Sequence, residues 1–176
     1  LTVGGTYHSR TKLSDMVANG ASITMIMGGT PMTMDGTMTV KNFQWPQTFA
    51  FGLSYQASEK LQLAADYKRI GWASVMKDFQ MTFVDSASGG DLSITFNQNW
   101  VDQNVLMMGL GYKLTPAFTL RAGVNIANNP VPDFYMNALF PAIEKNHTTA
   151  GFGYSFSKAS TLDFALTHAF EVTATN

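Results

Sequence analysis

The chain has 176 residues, of which 13% are charged, and it carries a net charge of −1 and no cysteine. Soluble domains contain about 25% charged residues, so this composition argues against an ordinary soluble domain. The near-zero net charge gives no basic field for nucleic acid, and the lack of cysteine excludes disulfides and thiolate metal sites. No apolar run approaches the ~20 residues of a transmembrane helix.

Apolar and polar residues alternate along most of the chain. A period of two is the strand period, because successive side chains of a strand point to opposite faces of a sheet. The alternation predicts about eight strands. In chain order these are 1–12, 37–45, 47–56, 61–84, 92–114, 118–128, 147–156 and 161–170.

The clearest pair of strands runs from 104 to 126, with Thr115 and Pro116 supplying the turn between them. One face of this hairpin is apolar, and the other holds small and polar residues. The apolar face continues from strand to strand, whereas a soluble sandwich would cover its outside with Lys and Glu. The inward glycines of such a sheet either keep a passage open or allow bending, and bending alone is enough to explain them.

Connections between the predicted strands alternate between short and long. Short ones lie near 46, 58, 115 and 158, and long ones cover 14–36 and 129–146, with a hairpin tip at 86–91. Aromatic residues cluster near the strand ends. These features predict an all-β fold, an antiparallel transmembrane β-barrel of the bacterial outer membrane, in a single domain over 1–176. The alternative is a soluble β-sandwich or a lipocalin-like barrel.

Several stretches of the chain resemble the FadL family of outer-membrane transporters for long-chain fatty acids and other hydrophobic compounds. The resemblance is carried, in the family's order and spacing, by PQTFAFGLSY (46–55), DYKRIGWASVMKDF (66–79), QNWVDQNVLMMGLGYKLTPAFTLRAGVNIANNPVPD (98–133) and LFPAIEKNHTTAGFGYSFS (139–157).

This resemblance implies a fourteen-stranded barrel with an N-terminal hatch segment in its lumen. We expect the chain to be incomplete at both ends and to cover about the sixth to the thirteenth strand, without the hatch. The implied function is passive transport of hydrophobic small molecules, such as long-chain fatty acids or aromatic hydrocarbons, with no enzymatic activity and no cofactor. The expected partners are a hydrophobic ligand and outer-membrane lipid and lipopolysaccharide, and not nucleic acid.

The long connection 129–146 is the best candidate for ligand binding, because it is too apolar for a purely solvated loop. Its apolar side chains either capture a hydrophobic ligand outside the cell or fold back as a plug over the barrel mouth. The candidate ligand-binding residues are Phe134, Tyr135, Met136, Leu139, Phe140 and Ile143.

Four charged residues share the small-residue face, which is the lumen in a barrel: Asp66, Lys68, Arg121 and Asp163. An uncompensated buried charge is costly, so we expect an ion-pair ladder that braces the barrel. The functional alternative is that Arg121 or Lys68 binds the carboxylate of a fatty acid.

Two other functions remain open. The first is a structural or adhesive barrel that binds a partner through its loops, and its interior would be filled by ion pairs and large side chains rather than by an apolar pocket. The second is an outer-membrane hydrolase, which needs a Ser–His contact. The Met-rich segment 14–36 fits ordinary packing within a long loop better than a specific ligand site, copper included.

Overall fold

A computed structural model of the chain describes residues 1–140 and 143–174. The described chain is built of β-strands, with two single-turn 3-10 helices at Trp72–Ser74 and Asp133–Tyr135. No helical segment in this part of the chain has the length and apolarity needed to cross a membrane. The strands are β1 (Thr2–His8), β2 (Thr11–Lys12), β3 (Met16–Met27), β4 (Thr30–Lys41), β5 (Gln44–Trp45), β6 (Thr48–Gln56), β7 (Leu61–Ile70), β8 (Asp78–Asp85), β9 (Asp91–Asn97), β10 (Gln103–Lys113), β11 (Phe118–Ala127), β12 (His147–Ser157) and β13 (Ser160–Ala169).

Seven of these strands form one antiparallel sheet, which we call the wall, in the order β1-β6-β7-β10-β11-β12-β13. The predicted all-β antiparallel architecture is therefore confirmed. The wall has seven strands rather than about eight, because segment 37–45 does not form a separate wall strand. Its residues belong to β4 and β5, which precede β6 in one limb of a long hairpin. Strands β1 and β13 lie at opposite edges of the wall, so the sheet is open.

The first hairpin is the longest element of the chain. Its two limbs keep one register from Thr2 opposite Ser54 through Asn19 opposite Thr37, and a bulge at Gly20 then shifts it. The hairpin closes at Gly28 and Gly29, whose φ angles of 59° and 84° suit a two-residue turn that matches the strand twist.

The segment 14–36, predicted to be a long loop, is therefore mostly strand, and that part of the prediction is wrong. The bulge at Gly20 interrupts the alternation of apolar and polar residues, and the continuous apolar run 25–27 obscures that alternation further along. Both features remove the period of two on which the sequence argument rests.

A second sheet, which we call the distal sheet, has the order β3-β4-β8-β9 and is formed by the far ends of the first two hairpins. The segments predicted as strands 61–84 and 92–114 are each divided in two, by irregular chain at 71–77 and 98–102. Asn99 lies in this break with φ 43°. The predicted hairpin tip at 86–91 is confirmed, with the turn between Asp85 and Asp91.

One face of the wall is apolar from edge to edge, as predicted. The register places Tyr7 beside Phe49, Phe51 beside Tyr67, Leu106 beside Ile126 and Phe152 beside Phe164. Next to the short turns, Phe118 packs against Tyr154 and Tyr154 against Phe156, with ring centroids 6.2 and 4.8 Å apart.

Many large side chains of this apolar face are exposed in the described chain, among them Phe51, Leu106 and Phe164. The buried hydrophobic residues of the described chain are only Met76, Phe83 and Val131. The accessible surface is 11,791 Å², whereas a compact soluble protein of this mass exposes about 8,400 Å². An apolar face of this extent requires a lipid environment, because exposing it to water is unfavourable.

Candidate functional site

The opposite face of the wall encloses a trough of about 810 Å³. Its floor consists largely of small residues from five neighbouring strands, β7, β10, β11, β12 and β13, because glycine, alanine and threonine occupy many of the alternate positions of those strands. Members of the floor are Ala64, Gly109, Gly111, Gly123, Thr149, Gly151 and Ala165. A second hollow of about 480 Å³ lies beside it, between β1, β6 and β7.

Arg121 and Asp163 form an ion pair across the trough, with Nη1 and Oδ1 2.5 Å apart. Gly153 makes this pairing possible, because a Cβ there would lie 2.8 Å from Asp163 Oδ1 and 3.0 Å from Arg121 Nη2. Both side chains are more than half exposed, so the pair contributes little to the free energy of unfolding. It does pair the guanidinium of Arg121, one of the cations that line the trough, with a carboxylate.

Asp66 and Lys68 lie on the same face but are not joined to that pair. The carboxylate of Asp66 packs against Gly52, which has no side chain to obstruct it. Lys68 stands opposite Ala50 in the next strand. Within the described residues neither has an opposite charge within 4.0 Å. The four residues therefore supply one ion pair rather than a ladder, and their functional roles stay predictions.

The connection 129–146 is fixed at its first residues and again at Lys145 and Asn146, which accept hydrogen bonds from Asn125 and Ala127. Val131 is buried, and the N–H of Val101 donates to the carbonyl of Pro130 at 2.9 Å. Phe134 is 79% exposed, and its ring meets the ring of Tyr135 at 5.0 Å. Leu139 is also exposed, whereas Met136 and Ile143 are half-buried. Residues 141 and 142 of the predicted loop lie outside the described residues.

Phe140 belongs to a group of six aromatic side chains. Its ring lies 5.1 Å from the ring of Phe79 and 5.7 Å from that of Trp100, nearly perpendicular to both. The contacts continue from Trp100 to Trp72, Trp45, Phe43 and back to Phe79, so that the six rings close a circuit. We call this group the aromatic cluster; its members are Phe43, Trp45, Trp72, Phe79, Trp100 and Phe140.

Gln98 joins the aromatic cluster to the loop. It is fully buried, and its Oε1 accepts hydrogen bonds from Trp100 Nε1 at 3.1 Å and from Asn137 Nδ2 at 3.4 Å. Its Nε2 has no hydrogen-bond partner among the described residues. Buried amide donors are normally paired, so this junction leaves one donor unsatisfied.

Sequence reasoning did not find the aromatic cluster. Its members are up to 97 positions apart, from Phe43 to Phe140, and the contacts are between side chains. One signal was available: all three tryptophans stand where the alternation breaks, at Trp45-Pro46, Gly71-Trp72 and Asn99-Trp100. A tryptophan at such a break has no regular face of the sheet to occupy.

The three histidines do not form a catalytic arrangement in the described chain. His147 approaches Asn125 at 3.4 Å and Glu144 at 4.0 Å. No hydrogen bond between a serine and a histidine occurs among the residues described. This part of the structure therefore gives no support to the hydrolase alternative.

The lipid-facing side, the trough of small residues behind it and the short turns at one end define an outer-membrane β-barrel protein. The chain belongs to the family described as outer membrane protein transport protein (OMPP1/FadL/TodX), whose profile matches residues 1–176. It is a protein of the bacterial outer membrane, and its family and structural neighbours are transport channels rather than enzymes.

Two solved structures show the relationship. The toluene transporter TbuX of Ralstonia pickettii is 31% identical, with a TM-score of 0.79 over 97% of this chain and 39% of its own. The toluene transporter TodX of Pseudomonas putida is also 31% identical, with a TM-score of 0.78 over 94% of this chain and 39% of its own. No protein of curated function matches the chain significantly in sequence.

A more distant structure, a FadL homologue of Pseudomonas aeruginosa, shares the fold at 18% identity, with a TM-score of 0.65 over 94% of this chain and 39% of its own. The chain thus spans about two fifths of the length of these relatives.

Proposed function

We propose that this protein carries monocyclic aromatic hydrocarbons passively across the bacterial outer membrane. The observation that carries the proposal is the likeness to two toluene transporters, each 31% identical over more than nine tenths of this chain. Moving an apolar molecule from water to an apolar site is favourable, so no energy source is needed for capture. Covalent chemistry is not needed either, so we propose no enzymatic role.

The trough supports an uncharged ligand better than a fatty acid. A carboxylate needs a free cation, and Arg121 is already engaged by Asp163 at 2.5 Å. Lys60 and Lys113 line one end of the trough, and Lys68 has no acidic partner among the described residues. A fatty acid would therefore have to bind at the edges of the trough rather than at its centre.

The trough also bears on the structural or adhesive alternative. A barrel that serves only as a scaffold fills its interior with ion pairs and large side chains. Here the floor is formed largely by glycine, alanine and threonine, and the described residues that line the trough form one ion pair, Arg121 with Asp163. This favours passage of a ligand. Binding to outer-membrane lipid and lipopolysaccharide remains part of the proposal, on the strength of the lipid-facing side.

The exposed part of the loop is the proposed point of capture. We expect Phe134→Ser to slow toluene uptake several-fold at low toluene concentration, because it removes an apolar ring that is 79% exposed. Uptake of labelled toluene by cells that depend on this protein is the measurement. Ile26→Ser is the matched control, because Ile26 is 77% exposed but lies at the tip of the first hairpin.

Equal uptake by the Phe134 variant and the parent would contradict the role of the loop. Uptake of labelled oleate but not of toluene would overturn the choice of ligand class. If cells with and without the protein took up toluene at the same rate, the proposed function itself would fail.

A further inference from the structure

We propose that the aromatic cluster contains a binding site for one monocyclic aromatic hydrocarbon, and that the ring of Phe140 occupies this site in the structure. The inference rests on the proposed function and adds to it a second site with its own regulation. A ligand and the loop then compete for the same place, so that ligand binding releases the loop from the distal end of the barrel.

The geometry around Phe140 is that of one aromatic molecule between two others. Its ring meets Phe79 at 5.1 Å and 78°, and Trp100 at 5.7 Å and 85°. Free aromatic rings prefer this edge-to-face arrangement, with centroids 4.5–7 Å apart. The side chain of Phe, from Cβ outward, has the carbon skeleton of toluene. The space that it fills is therefore matched to a single substituted benzene ring.

The other five members of the aromatic cluster do not depend on Phe140 for their arrangement. Phe43 and Trp45 come from the first hairpin, and Trp72, Phe79 and Trp100 from the second. An unbroken series of contacts connects Phe79 to Trp100 through these residues, with centroids 6.1, 6.4, 5.6 and 5.1 Å apart. Both walls of the site are thus held by strands and their ends when the loop residue leaves.

The hydrogen bond that joins the loop to Gln98 beside Phe140 is long. Asn137 reaches Gln98 only through a 3.4 Å hydrogen bond, and Nε2 of Gln98 is buried without a partner among the described residues. An unsatisfied buried donor disfavours the docked state. The firmer attachments lie on either side of Phe140, at Val131 and the Pro130 carbonyl and at Lys145 and Asn146, so the loop stays connected when Phe140 moves out.

Competition with Phe140 predicts a specific effect on affinity. When a side chain of the protein must first leave a site, the apparent affinity for the ligand equals the intrinsic affinity multiplied by the fraction of molecules in which the site is vacant. Phe140→Ala leaves the site vacant, and Phe140→Leu keeps it filled with an aliphatic group of similar bulk. We therefore expect Phe140→Ala to bind toluene about tenfold more tightly than the parent, and Phe140→Leu to show no gain.

The binding experiment uses the intact protein in detergent micelles, titrated with toluene and followed by tryptophan fluorescence. All three tryptophans of this chain belong to the aromatic cluster, so the part of the signal that this chain contributes reports on the site. Phe140→Ala combined with Trp100→Leu should lose the tenfold gain, because one wall is gone. Methylcyclohexane is the control ligand, because it is similar to toluene in size but has no π face. Phe140→Ala should not bind it more tightly than the parent does.

Hydrogen exchange of residues 129–140 in the unmodified protein is the second readout, and it does not require the alanine variant to fold. Toluene should speed exchange there and leave the turn at 86–90 unchanged. Equal toluene affinity of Phe140→Ala and the parent, or exchange that toluene does not alter, overturns the inference. If toluene uptake by cells is normal in that case, the proposed function stands; if uptake is absent while the site binds toluene, only the proposed function fails.

Discussion

Leu106 in the wall and Phe83 in the distal sheet are both large apolar residues in the middle of a strand, yet Leu106 is 42% exposed and Phe83 is 1% exposed. Both strands belong to the second hairpin. The strands of the wall are held together by backbone hydrogen bonds, and their apolar side chains face lipid. The distal end keeps its order through side chains packed on each other. The apolar side chains of one hairpin are therefore surrounded by lipid in the wall and by other side chains at the distal end.

The two regions should respond differently to loss of a large side chain, and this is the largest effect that we expect. Phe83→Ala should lower the free energy of unfolding by about 3–5 kcal/mol, because it opens a cavity where the side chain is 1% exposed. Leu106→Ala should cost about 1 kcal/mol, since lipid fills the space. Urea unfolding of the protein in lipid vesicles measures both. Similar losses for the two variants would remove the distinction.

The wall should instead be sensitive where backbones approach closely. A Cβ at Gly151 would collide with the carbonyl oxygen of Phe164 in the next strand and lie 3.2 Å from the Cα of Ala165. Gly151→Ala should therefore cost about 1–3 kcal/mol. Gly111 is the matched control, because a Cβ there meets nothing within 4 Å, and Gly111→Ala should change stability by less than about 0.5 kcal/mol. If Gly151→Ala and Gly111→Ala had the same unfolding midpoint, the strands would be able to move apart at Gly151 without cost.

The smallest expected effect concerns the turn of the distal sheet. The hydroxyl of Ser88 donates a 2.5 Å hydrogen bond to Asp85, and this holds the pKa of Asp85 below its ordinary value of 3.8. A carboxylate with a lowered pKa stabilises the fold above its ordinary pKa and loses that contribution as the pH falls through the lowered value. The native turn should accordingly persist below pH 3.8.

Ser88→Ala should raise the pKa of Asp85 towards 3.8 and let the turn open at a higher pH. Exchange of the Ser88 amide hydrogen as a function of pH is the measurement, since that N–H donates to Asp85 at 2.9 Å. Ser86→Ala is the control, because its hydroxyl makes no hydrogen bond in the described structure. Identical pH profiles for the two variants would show that the hydroxyl of Ser88 has no influence.

The sequence predicted the wall well because lipid on one side and small residues on the other impose strict alternation. It placed β6, β11 and β12 within one residue of their observed ends. The distal sheet was not predicted, because the alternation loses its phase in the irregular chain at 71–77 before β8, in the irregular chain at 98–102 after β9, and at the bulge beside Gly20 within β3.

For the candidate site, the sequence predicted the lumenal face of Arg121 and Asp163, and the structure pairs them. It could not distinguish Phe140 from Phe134, two phenylalanines of the same loop, one packed into the aromatic cluster and the other 79% exposed. That difference depends on Phe79 and Trp100, which approach the loop only when the second hairpin is folded. No local pattern encodes such a contact.

The unequal lengths of the first two hairpins have a consequence for how this protein changes in evolution. Strand β8 pairs with β4 only from Gly36 to Lys41, and the N–H of Ser86 donates to the carbonyl of Asp35, so among the described residues the tip from Ile23 to Met34 has backbone partners only in its own hairpin. Removing one residue from a single limb there turns every side chain beyond it to the other face. Removing two residues from each limb preserves both faces and leaves β8 untouched. Indels at this tip should therefore accumulate in matched steps, and its length can vary without any change in the barrel.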